Sequence, residues 1–264
     1  MMNLTQQKNS VSLQNLYDFK CKENGSPHFW TPQELDAHEY TFGGDFGISE
    51  TISRVLSLAD VLEVEVGAYI GEFIRKLDEK TTDGIVGKLL KAFIKDEAVH
   101  AHQIKYALQT YPVSDWHRNE AALINEEWKS AGGHPLQKSS TLEVGVFLGC
   151  SLPILLRLGG HSLLWVSEMI AKDEFLHVAG GRGILNKLNY GAVDNLIRLQ
   201  RKTVAYITEK LNIPSQHFGF EVNTDWFLQQ SNELIVSGSS APLTRWTDIS
   251  IYRAKFENSN KFMY

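Results

Sequence analysis

The segment Asp96-Glu97-Ala98-Val99-His100 returns later in the chain as Asp173-Glu174-Phe175-Leu176-His177. A Glu and a His three positions apart stand one turn apart on the same side of a helix, where both can reach one metal ion. Two such pairs, joined by one carboxylate from each of two further helices, make a dinuclear site in the core of a four-helix bundle. The neighbours matter as much as the motif. Leu89, Phe93, Ile104 and Leu108 continue the stripe that holds Glu97 and His100, and Leu163, Val166 and Ile170 lead into Glu174 and His177. Both pairs thus interrupt an apolar stripe. On a solvated face each Glu–His pair would be worth only about a few tenths of a kcal/mol. Buried, the carboxylates need a partner or a cation.

The elements that must position these residues follow from periodicity and breakers. Residues 1–31 read as an irregular or weakly helical segment, and Thr31-Pro32 with Glu34 reads as a helix start with a capping box. A long helical pattern covers about 49–77, and a connection near 80–84 leads to the first motif helix at about 85–109. A short helix is predicted at about 120–129, followed by a loop through Gly132-Gly133. A third bundle helix begins near Ser140 or Thr141. Gly159-Gly160 separates it from the second motif helix at about 162–188. Further helices are predicted at about 193–211 and 225–235, and an irregular, mobile tail at 238–264. The expected organisation is one all-α domain, 32–237, of ferritin-like bundle type.

Bulk properties narrow the function classes. The chain has 264 residues, 43% hydrophobic and 22% charged, with a net charge of −5, which fits an ordinary globular domain and gives no reason to expect nucleic-acid binding. The two cysteines, Cys21 and Cys150, offer no disulfide framework and suit a reducing compartment. The polar N-terminus lacks the apolar run of a signal peptide. The stretch from Val144 to Leu158, interrupted by Pro153, reads as a core helix, and no stretch reads as membrane-spanning. A cytoplasmic location, away from membranes, is the expectation.

Two more carboxylate ligands are needed, one upstream of each motif. Glu143 fits, with Val146, Phe147, Cys150 and Ile154 following it, although a carboxylate near a helix start is also favoured by the macrodipole alone. On the first helix Asp60 shares a stripe with Leu56, Val64, Gly67 and Ile74, and Glu63 could reach a similar place.

Several segments, in order, resemble the radical-generating small subunit of class I ribonucleotide reductase. Phe29-Trp30-Thr31-Pro32-Gln33-Glu34-Leu35-Asp36 is similar to its N-terminal stretch. Leu58-Ala59-Asp60-Val61 with Val66-Gly67-Ala68 resembles its first ligand helix, which favours Asp60 over Glu63. Glu97-Ala98-Val99-His100-Ala101 resembles the second ligand helix, and Leu142-Glu143 with Phe147 the third. Residues Ser167 to His177, then Ile184-Leu185-Asn186, resemble the fourth. The likeness covers about 28–190. It implies a Fe/Fe or Mn/Fe centre activated by dioxygen and held by Asp60, Glu97, His100, Glu143, Glu174 and His177. It also implies an electron path through Trp30, Asp173 and His100. A tail tyrosine, Tyr252 or else Tyr264, would continue that path in a C-terminal segment that docks on a separate large catalytic subunit. The resemblance further implies a homodimer.

The chain departs from that pattern. Ile104 stands where most members store a radical on Tyr, and Tyr106 projects about 200° away on an ideal helix. The Asp60-to-Glu97 spacing is longer, placed here as extra turns around 76–84, and helical material is missing between about 188 and 193. Three functions compete. A reductase subunit would use Trp30 and Asp173 to move an electron. An oxygenase or oxidase acting on a small or lipid-like substrate suits the loss of the stored radical at Ile104. A ferritin-type storage protein would need neither Trp30 nor Asp173.

Overall fold

The computed structural model describes residues 12–22, 24–36, 44–237 and 246. Among these residues the fold is all-α apart from one two-residue ladder. The helices are α1 (Leu13–Lys20), α2 (Ile48–Arg75), α3 (Glu79–Asp83), α4 (Ile85–Thr110), α5 (Asp115–Ser130) and α6 (Pro135–Thr141). A π-helix, Leu142–Ser151, continues α6, and α7 (Leu152–Leu158), α8 (Gly160–Lys187), α9 (Asp194–Thr208) and α10 (Thr224–Ser237) follow. Between the last two, β1 (Asn212–Ile213) pairs antiparallel with β2 (Val222–Asn223), Ile213 opposite Val222.

Helices α2 and α4 pack along each other, α4 meets α8, and the α6–π-helix–α7 stretch packs on α2 and α8. Their facing stripes are Leu, Val, Ile and Phe, including Leu62, Val66, Leu89, Phe93, Val146, Phe147, Val166 and Ile170, all buried. That apolar burial is the driving force of the assembly. The outer layer is α5, α9 and α10. Trp128 anchors α5 there, fully buried, its indole N–H donating to Thr203 Oγ1 on α9 at 3.1 Å.

Four expectations are corrected. The described residues of 1–31 are not all irregular or only weakly helical, because α1 packs against α4 and α8 with Leu13 and Leu16 in the core. Thr31-Pro32 starts no helix. The chain from Pro27 to Asp36 is irregular, and side chains of the bundle satisfy its backbone. Gln103 accepts from Gln33 N at 2.8 Å and donates to Gln33 O at 3.0 Å, Thr110 donates to Leu35 O, and Ser162 donates to Asp36 O. The third bundle helix begins earlier than expected, with Pro135 at its first position and a reciprocal cap between His134 and Gln137. The extra turns expected around 76–84 are there as the short helix α3, capped by Asp78, whose carboxylate accepts from Thr81 N at 2.8 Å.

The fourth concerns Pro135–Leu158, which is long and apolar enough to cross a membrane by length and composition, with a mean hydropathy of 1.6. Its most apolar window is 89% buried inside the bundle, as expected of a core helix. Its middle is the π-helix, where the Leu152 N–H reaches back five residues to the Phe147 carbonyl. Pro153, just beyond, has no N–H to return to the preceding turn. The Gly145 carbonyl in this wide stretch accepts from Ser231 Oγ at 2.5 Å and from Gln200 Nε2 at 3.3 Å, so α9 and α10 brace it.

Candidate metal centre

Six side chains from four helical stretches converge inside the bundle. Glu63 comes from α2, Glu97 and His100 from α4, Glu143 from the π-helix, and Glu174 and His177 from α8. They form two overlapping groups in which ligand atoms lie within 4.8 Å of one another: Glu63, Glu97, His100 and Glu174, and Glu97, Glu143, Glu174 and His177. Glu97 and Glu174 belong to both. All six residues are 2% exposed or less.

Asp60, the expected first ligand, is in neither group, and Glu63 takes that place. The stripe that suggested Asp60 included Val64, which is 52% exposed. The buried face of α2 runs instead through Val55, Ala59, Leu62, Val66, Ile70 and Phe73, and Glu63 projects from it. Gly67, one turn on, lets α4 come close: a Cβ there would stand 3.3 Å from Cβ of Glu97. Glu143 lies well inside a helix that starts at Pro135, so the macrodipole does not account for it. Its Oε1 accepts a hydrogen bond from Ser139 at 3.1 Å.

The imidazoles are oriented by a crossed arrangement. His100 Nε2 lies 3.3 Å from Asp173 Oδ2, and His177 Nε2 lies 3.1 Å from Asp96 Oδ2. Each motif's aspartate thus holds the other motif's histidine. With Nε2–H donated to a carboxylate, Nδ1 keeps its lone pair, and both Nδ1 atoms face the glutamates. His100 Nδ1 is 3.4 Å from Glu63 Oε2 and 3.4 Å from Glu174 Oε1, and His177 Nδ1 is 2.8 Å from Glu97 Oε1. Lys20 ties the crossing together, its ammonium donating to Asp96 Oδ1 at 2.6 Å and to Asp173 Oδ1 at 2.8 Å. Sequence reasoning missed Lys20 and left Asp96 without a role. The signals were there: Asp96 is the repeat of Asp173, and Lys20 continues the Leu13–Leu16 stripe of α1 at helical spacing.

Trp30 joins the same network. Its Nε1–H donates to Asp173 Oδ2 at 2.8 Å, and its ring stacks near His100 with centroids 6.1 Å apart. Half-buried, it forms one wall of a cleft of about 240 Å³ at the protein surface, with Lys22 and Lys172 among the other walls. Ile104, at the position of the expected radical tyrosine, is buried. Tyr252 and Tyr264 lie outside the described residues.

Electrostatics fit a cation. Burial pushes Glu63 and Glu143 up to about 7 and raises Glu174 well above the carboxylate range, with the Glu97 charge adding to the last. Burial raises Glu97 as well, but His100 and His177 outweigh it and hold that group at about 2. The histidines are disfavoured as cations by burial, yet their carboxylate partners raise both well above the ordinary imidazole value. Asp173 is held low by His100 and Lys20 against its own burial.

Glu63 Oε2, both oxygens of Glu97 and Glu174, and Nδ1 of both histidines have no hydrogen-bond partner. Inward-facing, buried and close together, these groups could hold a metal ion. Comparison with protein-family models, curated proteins and solved structures finds no match.

Proposed function

We propose that this chain is a dimetal-carboxylate protein of ferritin-like architecture that works as the small subunit of a class I ribonucleotide reductase. Glu63 and His100 would hold one ion, Glu143 and His177 the other, with Glu97 and Glu174 between them. Four carboxylates balance two divalent cations, and this donor set suits iron or manganese, as Fe/Fe or Mn/Fe. A bound pair supplies the reaction with dioxygen that yields a strong oxidant. The protein's own residues orient the imidazoles, exclude water and provide an outlet.

The observation that carries this reading is the unbroken chain Trp30 Nε1–Asp173–His100. It joins a ligand imidazole to an aromatic ring at the wall of a surface cleft. An electron arriving through Trp30 can be accompanied by movement of the indole proton toward Asp173 Oδ2, which keeps charge from building up in the core. A separate large subunit would supply that electron, and a homodimer is part of the proposal.

One further reading has support of its own. Ile104 in place of a storable tyrosyl radical, and Glu63 in place of the aspartate that the family resemblance implied, favour an oxidase or oxygenase that acts on a small molecule beside the metals. Anaerobic loading with Fe(II), or with Mn(II) plus Fe(II), followed by oxygen and EPR over minutes separates the two. A persistent one-electron oxidant is the expected result. Rapid oxygen uptake that leaves only an EPR-silent diferric product would overturn the reductase reading in favour of the oxygenase.

A further inference from the structure

Away from the metal cluster, a cavity of about 370 Å³ opens between α6, the π-helix, α8, α9 and α10. Its size is that of a small-molecule site. Its walls divide in two. Val144, Leu185 and Ile197 provide an apolar side, while Ser140 and Asn186 present a hydroxyl and an amide. The one charged residue in the lining is Arg182. Its Nη2 donates to the Leu234 carbonyl at 3.1 Å, and no carboxylate among the described residues pairs with it. Burial lowers its pKa.

An arginine presents five N–H donors in a planar fork that matches a carboxylate. Spending one on a backbone carbonyl leaves most of that capacity unused. A guanidinium without an anion, beside an apolar wall, is suited to one end of an amphiphilic acid. We propose that this cavity binds a small organic carboxylate, its acid group on Arg182 and its apolar body against Val144, Leu185 and Ile197. The site is separate from the metal cluster, but its walls are not independent of it. Ser140 and Val144 line the cavity, while their neighbours Ser139 and Glu143 are bonded to each other on the metal side.

The test is calorimetric titration of the full-length, metal-loaded protein with benzoate, octanoate, benzyl alcohol and inorganic phosphate. Saturable binding of benzoate or octanoate is expected, with benzyl alcohol at least about tenfold weaker, as loss of a charge-assisted hydrogen bond implies. Arg182→Gln should weaken carboxylate binding by about the same factor while metal content is unchanged. Should that variant misfold, Ile197→Trp, which fills the cavity from a half-buried position, should abolish binding. Carboxylate binding that survives both substitutions would overturn the proposal. So would phosphate binding without benzoate or octanoate, which would mark a bare anion site. Neither outcome bears on the metal reading, which rests on metal content.

Discussion

A carboxylate oxygen with no hydrogen bond, walled into a core, is costly unless a cation meets it. Seven such nitrogen and oxygen atoms face one another around His100 and His177. That cost makes the first-helix ligand a question with a measurable answer. After anaerobic Fe(II) loading, Glu63→Ala should lose at least one metal equivalent, whereas Asp60→Ala should keep both, as read by elemental analysis. Full occupancy in Glu63→Ala would return the first ligand to Asp60. Glu174, common to both ligand groups, should be less forgiving still, and its alanine variant should leave neither ion tightly held. Lys20 poses a different question. It meets two buried aspartates at once, so Lys20→Met leaves both without their cation. Removing one partner of a buried ion pair costs about 3–5 kcal/mol, and urea unfolding of the apoprotein should show a loss of that size. An unchanged midpoint would mean that the aspartates find other partners.

At the scale of elements, the π-helix is where backbone irregularity and ligand placement coincide. A Cβ on Gly145 would come within 2.5 Å of Gln200 Cγ and 2.8 Å of Ile235, so Gly145→Ala overpacks the brace from α9 and α10. The expected cost is about 1–3 kcal/mol, accompanied by weaker metal binding because Glu143 sits in the same stretch. Thermal unfolding and metal titration would check both, and a variant with wild-type values would show the brace to be dispensable. Much of this architecture was legible in the chain. The repeated Asp-Glu-x-x-His segments, set in apolar stripes, located α4, α8 and four of the six clustered residues. The π-helix was not legible, because hydrophobic periodicity distinguishes faces only when some face is polar, and Leu142 to Ser151 is buried on every side. The Asp60–Glu63 ambiguity has the same origin, since α2 carries apolar residues around much of its circumference. Thr31-Pro32 misled for another reason. A cap signature is local, and Gln103, Thr110 and Ser162 offered the backbone of that segment better partners from elsewhere in the fold.

For the whole molecule, the buried acids set different pH responses with and without metal. Glu63 and Glu143 have an ordinary value of 4.5 and are raised in the folded apoprotein to about 7. Their contribution to folding is therefore present below 4.5 and lost as pH rises through about 7. Metal binding needs the deprotonated forms and releases those protons, so affinity should rise over the same window. Urea unfolding between about pH 5 and about pH 8 should show the apoprotein weakening while the metal-loaded protein, whose glutamates carry no proton at either end, is not weakened by them. Parallel curves would mean that the glutamates carry no such protons.

The crossed aspartates carry a consequence for how the molecule comes together. Severing the chain at Gly132-Gly133 would send Lys20, Glu63, Asp96, Glu97 and His100 into one fragment and Glu143, Asp173, Glu174 and His177 into the other. Each piece would hold three of the six clustered residues, yet each histidine's orienting carboxylate would be on the opposite piece. Neither fragment alone has what it needs to aim its imidazole. Only their reunion restores both, so a metal ion taken up by the cluster would act as a clasp that closes when the two halves meet.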